Sequence, residues 1–409
     1  MTPPHDPLRS LASLLFPADP RLRGSLVVTG SPAFDRTAIA ADADVVIWGR
    51  TAERGSLVGA ALGALDGART RAAVRVRPPH QLHLVAAHRL PPRQVGLRSV
   101  RNRIRSAVRA GLLLELSRLP EGSRVLDRVA DEAGLTERIR HFHFGAGGSM
   151  VVRAAVGGAP CVLRVASAGT AGDLVPVAAT LDHLGRSGVR VAPGLVGHGA
   201  TCGATWVLEE RLPGAPPRSV DPAVLREVVE ACAQLPSSAG PPTALADDLH
   251  LLGEHLPSRA EALHRVAEEV DGATTGVHGV LRHGDLWAGN LLVHRGRLTG
   301  LIDWDAAHPA GVPGADLLHL VADEERRRRG WSTGQMFTAR PWRSEGFRQA
   351  TRSYWSAMGV PPTQDQLDLC GVAWWAGSVA GTLRRFPERA GSEPWVEGNV
   401  DRVLALLRR

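Results

Sequence analysis

Two short motifs constrain the fold of this chain more than any other feature. The first, HGDLWAGN, spans residues 283–290, and the second, IDWD, spans residues 302–305. A short hairpin is predicted between them, and it would bring Asp285, Asn290 and Asp303 together at one cleft. The alternative is a strand, a loop and a second strand in which the Asp and Asn side chains only cap turns.

These three residues are the types that phosphoryl transfer requires. The reaction needs an oriented hydroxyl, metal ions on the phosphate oxygens and ligands that hold those metals. Asp285 is predicted to receive the substrate hydroxyl, either as a general base or only as an orienting group, and the sequence leaves both roles open. Asn290 and Asp303 offer the hard oxygen ligands that Mg²⁺ prefers.

The chain resembles the aminoglycoside phosphotransferase and choline kinase-like family over about residues 138–409. His283, Asp285 and Asn290 match the family pattern H-G-D-x-x-x-x-N, Asp303 matches its metal-binding Asp, and residues 314–318 match its G-x-D-L segment. The resemblance implies ATP and Mg²⁺ as cofactors. It also implies an α+β, bilobal protein-kinase-like fold with a small β-rich N-lobe and a mainly helical C-lobe, here with an additional small α/β domain at the N-terminus.

Three further residues near the motifs are predicted to be structural. His283 is expected to brace the catalytic loop rather than to act as an acid or base. Asp305 is expected to cap a turn, with contact to a second metal or to substrate as the alternative. Asp316 is expected to cap or anchor a helix in the lower lobe.

The resemblance also assigns residues to the nucleotide. A strand, a Gly-rich loop, a strand, a tight turn and a strand are predicted over residues 137–166, followed by a hinge strand over residues 206–210. Glycine lets backbone N–H groups approach phosphates, and an Arg fork holds two phosphate oxygens. The predicted nucleotide-binding residues are Gly145, Gly147, Gly148, Ser149, Arg164, Glu209 and Arg211. The alternative for Arg164 is an exposed arginine of a strand.

One position departs from the family pattern. The helix after the strand of Arg164 normally supplies a Glu that pairs with the basic residue, and here that position is Val177. Asp173 or Asp182 are the candidates to replace it, and the sequence does not decide between them. This departure keeps a second hypothesis open, in which the protein is a nucleotide-binding pseudokinase that serves as a docking or regulatory module.

The predicted domains are a loose arm over residues 1–24, an α/β domain over 25–137, the N-lobe and hinge over 138–214 and the C-lobe over 215–409. In the α/β domain, strands are predicted at 25–30, 43–49, 72–76 and 82–85, and a helix at 55–65. In the C-lobe, helices are predicted to start at Asp221, at a capping box from Ser258 to Glu261 and at another from Thr363 to Gln366. The last helix is predicted to face the core.

Composition limits the chemistry and the compartment. All 48 basic residues are arginine, which excludes any lysine-based catalysis, and the formal net charge is +7. The four cysteines lie far apart, which suits a reducing cytoplasm and disfavours a disulfide framework or a structural zinc site. No signal peptide or membrane span is predicted, so the expected location is the cytoplasm.

The segment Arg93–Arg109 is predicted to form a basic amphipathic helix. It is interpreted either as a solvated face or as a peripheral contact with an anionic surface, which is the basis of a third hypothesis, a membrane- or nucleic-acid-associated protein. The segment contains no aromatic residue, so nucleic acid is not an expected partner.

The predicted substrate is a small molecule with a hydroxyl group. The run from Asp323 to Arg329 mixes acids with four arginines, which disfavours a polycationic aminoglycoside unless the run is only a solvated helix end. A sugar, a cell-envelope precursor or a hydroxylated metabolite is favoured, and a Ser or Thr of a small peptide is the alternative. The sequence does not identify the substrate, the choice of ATP over GTP, the oligomeric state or the purpose of residues 1–137.

Overall fold

The computed structural model describes residues 25–29, 43–48, 69–77, 81–86, 112–117, 125–136, 141–144, 149–167, 174–274, 276–359 and 362–407. The described residues form two compact units. One contains those of Pro176–Gly194 and Leu212–Arg409, and the other contains those of His5–Val175 and Leu195–Arg211. The predicted helix at 55–65 and the predicted basic helix at Arg93–Arg109 lie outside the described residues.

The strands of the described residues are β1 (Ser25–Thr29), β2 (Ala43–Trp48), β3 (Arg69–Arg77), β4 (Gln81–Ala86), β5 (Leu112–Ser117), β6 (His141–Phe144), β7 (Met150–Val156), β8 (Ala159–Ser167), β9 (Leu195–Thr201), β10 (Ala204–Glu210), β11 (Val280–Arg282), β12 (Leu291–His294), β13 (Arg297–Leu301) and β14 (His308–Gly311). Strands β1 to β4 lie at the four positions predicted between residues 25 and 86. Strand β5, which lacks an alternating pattern, was not predicted.

The first ten strands form one sheet in the order β1-β2-β5-β3-β4-β6-β7-β8-β10-β9. β1 and β2 are parallel, and every other neighbouring pair is antiparallel. Because β4 pairs with β6, strands from the predicted N-terminal domain and from the predicted N-lobe share one sheet. The predicted boundaries at residues 24, 137 and 214 stay predictions.

The helices of the described residues are α1 (Val125–Glu132), α2 (Val175–Arg186), α3 (Pro222–Cys232), α4 (Ala244–His255), α5 (Ala260–Ala273), α6 (Ala315–Arg329), α7 (Thr333–Ala339), α8 (Glu345–Ala350), α9 (Arg352–Ala357), α10 (Gln364–Arg385), α11 (Glu393–Val396) and α12 (Arg402–Leu407). Nearly all of them follow the ten-stranded sheet in the chain. Among all the described residues, no helix combines the length and the apolar character that crossing a membrane requires.

Local sequence signals explain where several of these helices begin. The Asp221 carboxylate accepts N–H groups from the first turn of α3, and Thr363 forms the predicted capping box with Gln366 at the start of α10. The capping box predicted at Ser258 is wrong, because a 3₁₀ turn over Pro257–Arg259 comes first and α5 begins at Ala260. Pro257 starts this turn, so Ser258 lies inside it rather than at a cap position.

The long helix α10 runs through the core of its unit. Trp374, Val379 and Leu383 are buried, which confirms the predicted core-facing helix. Trp375 on the same helix is fully buried, and its indole N–H donates to the backbone oxygen of Asn399 at 2.8 Å. Burial of large aromatic side chains of this kind dominates the stability of a core.

Candidate active site

A hairpin brings the two motifs together. Strands β12 and β13 are antiparallel, with Leu291 opposite Leu301, so the residues just outside them meet at one end. There the N–H of Ile302 donates to the backbone oxygen of Asn290 at 2.9 Å. Asn290 precedes β12 and Asp303 follows β13, so the hairpin places the two predicted metal ligands next to each other along the backbone.

The side chain of Asn290 is oriented by the catalytic loop. Its Nδ2 donates to the backbone oxygen of Asp285 at 2.8 Å, which leaves Oδ1 as the amide atom that accepts no hydrogen bond from the described residues. An amide oxygen held in this way, with the exposed carboxylate of Asp303 nearby in the chain, is a donor set that suits Mg²⁺. Among the residues that the structure describes, no three His, Cys, Asp or Glu side chains form a metal cluster.

His283 links the two motifs through its ring. The ring is fully buried, its centroid lies 4.5 Å from that of Trp304, and its Nε2 lies 3.0 Å from the backbone oxygen of Ile302. A carbonyl oxygen can only accept, so Nε2 carries the proton. Nδ1 is then the unprotonated nitrogen, and the N–H of Asp285 lies 3.4 Å from it. The imidazole therefore joins the segment before Asp285 to the segment before Asp303.

Asp316 holds the same loop from the first turn of α6. One carboxylate oxygen accepts the N–H of His283 at 2.7 Å, and the other accepts the N–H of Gly284 at 2.9 Å. The residue is only 9 % exposed, so both hydrogen bonds are shielded from water. The carboxylate therefore anchors the catalytic loop to α6 and does not cap the helix, which corrects the capping alternative.

Two backbone conformations fix the shape of the site. Gly284 has φ +80°, and a Cβ at this position would lie 2.1 Å from the backbone oxygen of Ala306, so only glycine fits. Asp303 has φ 68° and ψ 61°, a left-handed conformation that is uncommon for residues other than glycine and that clusters at functional sites. Asp305 is exposed in the short 3₁₀ helix Trp304–Ala306, and its predicted turn-capping role stays a prediction.

Two residues that the sequence analysis did not identify flank the carboxylate of Asp285. His319 Nε2 lies 3.9 Å from Oδ1, and Arg385 Nη1 lies 3.7 Å from Oδ2. Burial lowers the pKa of His319 below its ordinary value, although Asp285, Asp323 and Asp316 act in the opposite direction. His319 lies one helical turn after Asp316, a spacing that could have revealed it.

A buried ion-pair cluster supports this region. Asp248 is 1 % exposed, and its two oxygens accept from Arg282 Nη1 at 2.8 Å and from Arg384 Nη2 at 2.7 Å. Arg282 directly precedes the catalytic loop, and Arg384 directly precedes Arg385 at the end of α10. The cluster thus ties the strand that enters the catalytic loop to the helix end that carries Arg385.

Each arginine of the run at the end of α6 forms an ion pair with an acid of the same helix. Asp323 pairs with Arg326 and Arg327. Glu325 pairs with Arg328 and Arg329. The guanidinium of Arg327 also stacks over the ring of Trp287 in the catalytic loop, 3.9 Å from its centroid. Because these charges are paired along the helix, the run carries little information about the charge of a substrate, which favours the solvated-helix interpretation.

The predicted nucleotide-binding residues belong to the unit that contains the ten-stranded sheet. Gly145, Gly147 and Gly148 lie outside the described residues, while the side chains of Ser149, Arg164 and Glu209 are buried and that of Arg211 is exposed. Arg164 lies in β8 between β7 and β10 and is 4 % exposed, so the alternative of an exposed strand arginine is wrong. A guanidinium this deeply buried requires polar or charged partners.

The helix that departs from the family pattern is α2. Val177 is buried in it, so an apolar side chain fills the position of the usual Glu. The carboxylate of Asp182 accepts from Arg186 Nη2 at 2.6 Å, one turn along the same helix and largely in solvent. Asp173 lies outside the described residues.

Residues 283–316 thus bring the loop of Asp285, the amide of Asn290 and the backbone of Asp303 together through the hairpin and the Asp316 carboxylate. The model of the phosphotransferase enzyme family (APH) matches residues 138–342, which is half of the chain. The chain belongs to this family, which confirms the predicted resemblance. The match places the protein among the phosphotransferase enzymes.

Solved structures of several aminoglycoside phosphotransferases are similar to this chain. An aminoglycoside-3'-phosphotransferase of type VIII is 21 % identical over 56 % of this chain and 90 % of its own, with a TM-score of 0.40. The aminoglycoside phosphotransferase APH(3'')-Id from Streptomyces rimosus, in complex with ADP and streptomycin, is 18 % identical over 56 % and 92 %, with a TM-score of 0.41. A thermostable mutant of APH(4)-Ia is 18 % identical over 63 % and 91 %, with a TM-score of 0.42. No match was found among curated proteins.

Proposed function

We propose that the protein transfers the γ-phosphoryl group of ATP to a hydroxyl of a small molecule, such as a sugar, a cell-envelope precursor or a hydroxylated metabolite. The observation that carries this proposal is the hairpin that places Asn290 and Asp303 beside the loop of Asp285, with the Asn290 amide oxygen left as an acceptor. The buried carboxylate of Asp316 also binds two N–H groups of the loop that carries Asp285. Residues that only capped turns would not require this additional support.

Asp285 is assigned to the acceptor hydroxyl. The hydroxyl oxygen forms a bond to the γ-phosphorus while the bond from this phosphorus to the bridging oxygen breaks, ADP leaves and the hydroxyl proton passes to Asp285 or to solvent. Asn290 Oδ1 and Asp303 would hold Mg²⁺, which neutralises charge on the phosphate oxygens when it is bound. His283, Asp316 and Gly284 keep the backbone of Asp285 in place through the contacts described above.

The nucleotide is assigned to residues of the sheet-bearing unit. The backbone of Gly145, Gly147, Gly148 and Ser149 is proposed to contact the phosphates, Arg164 to bind phosphate oxygens, and the segment of Glu209 and Arg211 to contact the base. The burial of Arg164 supports its part of this assignment, because a guanidinium that holds a phosphate group in place is kept rigid by packing.

One observation favours a second candidate function. A buried valine, Val177, stands at the helix position where the family pattern has the Glu that pairs with the basic strand residue. The second candidate is therefore a nucleotide-binding module without turnover. The presence of Asp285, Asn290 and Asp303 favours catalysis over this alternative.

Nucleotide and metal binding are tested by thermal shift. Wild-type protein, Asp303→Ala and the matched control Asp182→Ala are melted with ATP alone, with Mg²⁺ alone and with both. ATP and Mg²⁺ together are expected to raise the melting temperature of the wild type and of Asp182→Ala, because Asp182 is a surface residue paired only along its own helix. Asp303→Ala is expected to lose this shift, and an unchanged shift would refute the metal assignment.

Catalysis is tested by ADP formation over a panel of hydroxyl compounds. A phosphotransferase releases ADP in an acceptor-dependent way, whereas the nucleotide-binding module binds ATP and Mg²⁺ with no acceptor-dependent release. Glycerol, sugars, hydroxy acids and a serine-containing peptide cover the proposed acceptor classes. A signal with the peptide alone would favour the alternative of a peptide kinase.

A further inference from the structure

Arg385 is placed to act on the acceptor. It is the last residue of α10, its Nε donates to the backbone oxygen of Gly381 at 3.0 Å, and its side chain is 40 % exposed. Its Nη1 lies 3.7 Å from the Asp285 carboxylate, the group assigned to the acceptor hydroxyl. One edge of the guanidinium is therefore fixed by the helix, while Nη1 lies on the side of the Asp285 carboxylate.

The contact with Asp285 does not saturate this guanidinium. Charge-assisted N–H···O bonds are about 2.7–2.9 Å long, so a separation of 3.7 Å leaves the donors of Nη1 available. Nη2 has no hydrogen-bond acceptor among the described residues. The neighbouring Arg384 provides a contrast, because its Nη2 donates to the buried Asp248 at 2.7 Å.

The charge on the Arg385 side of Asp285 favours an anion over a cation. Asp285 alone would attract a cationic acceptor, but Arg385 offsets its charge on this side. On the side of His319 lie the carboxylates of Asp316 and Asp323, and both are engaged, by two backbone N–H groups and by two arginines respectively. A second cation beside Arg385 would be repelled, whereas a carboxylate or a phosphate matches the planar fork of the guanidinium.

We propose that Arg385 is a specificity-determining residue that binds an anionic group of the acceptor, a carboxylate or a phosphate, close to the hydroxyl that Asp285 orients. The substrate class is then a hydroxy acid or a phosphorylated hydroxyl compound. This inference rests on the proposed phosphotransferase function and on the position of Arg385 beside Asp285.

A set of acceptors that differ at one terminal group tests the proposal. Glucitol is neutral, gluconate carries a carboxylate, glucitol 6-phosphate carries a phosphate and glucamine carries an ammonium group. For each acceptor, kcat/KM is measured from ADP formation with ATP and Mg²⁺, and binding is measured by calorimetry in parallel. The selectivity is the ratio of the value for each anionic acceptor to the value for glucitol.

The variants are Arg385→Gln, Arg385→Lys, Arg385→Glu and the control Arg389→Gln. Arg389 is an exposed arginine in the next turn of the chain that forms no ion pair with the described residues. The wild type and Arg389→Gln are expected to prefer one of the anionic acceptors by about 10- to 100-fold, the range for a charge-assisted hydrogen bond. The ratio should fall towards one in Arg385→Gln, stay partly intact in Arg385→Lys and shift towards glucamine in Arg385→Glu.

Several outcomes would overturn the inference. The role of Arg385 is refuted if the wild type prefers glucitol or glucamine. It is also refuted if the wild type and Arg385→Gln have the same anion selectivity. If turnover is slow, the same comparison is made with the affinities from calorimetry. Preference for gluconate over glucitol 6-phosphate assigns the site to a carboxylate, and the reverse assigns it to a phosphate. Absence of both ATP binding and phosphoryl transfer would refute the proposed function as well, whereas ATP-dependent transfer without anion selectivity would refute only this inference.

Discussion

Replacement of Asp316 by asparagine is expected to loosen the loop that carries Asp285. In the wild type, the two carboxylate oxygens of Asp316 accept the N–H groups of His283 and Gly284 at 2.7 and 2.9 Å, in a largely buried position. Asparagine has almost the same shape but offers only one oxygen. Its amide nitrogen would then face one of the two backbone N–H groups, and that N–H would lose its acceptor. The other N–H would donate to a neutral oxygen in place of a charged one.

The magnitude follows from these two contacts. Leaving one buried donor unsatisfied costs about 1–3 kcal/mol, and converting the other hydrogen bond from charged to neutral removes roughly half of its strength. We therefore expect Asp316→Asn to lower the free energy of unfolding by about 2–4 kcal/mol. A displacement of the loop by about 1 Å would also lower turnover by roughly 100-fold, because Asp285 no longer meets the hydroxyl in the right place.

Urea denaturation followed by tryptophan fluorescence measures the stability, and acceptor-dependent ADP formation measures the turnover. The matched control is Asp365→Asn, an exposed aspartate in the first turn of α10, which is expected to cost less than about 1 kcal/mol. If Asp316→Asn unfolds at the same urea concentration as the wild type and turns over at the same rate, then the carboxylate does not hold the catalytic loop and the structural argument fails.

Three further substitutions test other parts of the account. Gly284→Ala should lower the free energy of unfolding by at least about 2 kcal/mol, because the φ of +80° and a backbone oxygen 2.1 Å from the new Cβ both oppose alanine. The control Gly253→Ala in α4, with open space around the new Cβ, should raise the free energy of unfolding by up to about 1 kcal/mol. Similar values for the two variants would contradict the backbone argument. The folded-state pKa of His319 is lowered, so its contribution to stability is fully present above about pH 6.5 and is lost as the pH falls through the folded-state pKa. In urea melts from pH 5 to 8, the free energy of unfolding of His319→Gln should therefore change less with pH than that of the wild type. An equal change in both proteins would contradict the lowered pKa. Asp248→Ala should lower the free energy of unfolding by about 3–5 kcal/mol in the same urea assay, because it leaves the buried Arg282 without its charged partner. A loss below about 1 kcal/mol would show that the ion pair does not stabilise the fold.

The catalytic hairpin could be predicted because its determinants are local. Asn290 and Asp303 are separated by a single hairpin, and a strand register of that length follows from the apolar pattern and the turn alone. The start of α10 was predictable for the same reason, since the capping box from Thr363 to Gln366 requires only four consecutive residues. A similar pattern at Ser258 gave the wrong start, because the preceding proline changed the local geometry.

Contacts between distant segments could not be predicted from the sequence. Arg385 lies far along the chain from Asp285, and nothing in the pattern of α10 indicates which of its arginines faces the catalytic loop and which one binds Asp248. The role of Asp316 was only half predicted, because a carboxylate in a first helical turn usually caps that helix. The arginine run of α6 shows the opposite error, since a conspicuous charge pattern turned out to be paired within its own helix.

The most direct test of the central claim is phosphoryl transfer by Asp285→Asn. The change removes one charge and leaves the backbone contacts of residues 283, 284 and 290 available, so the variant is expected to bind ATP and Mg²⁺ with the same thermal shift as the wild type. Transfer of labelled γ-phosphate to an acceptor found in the hydroxyl panel should fall by at least about 10³-fold. A variant that binds nucleotide normally and transfers phosphate at the wild-type rate would contradict the assignment of Asp285 to the reacting hydroxyl.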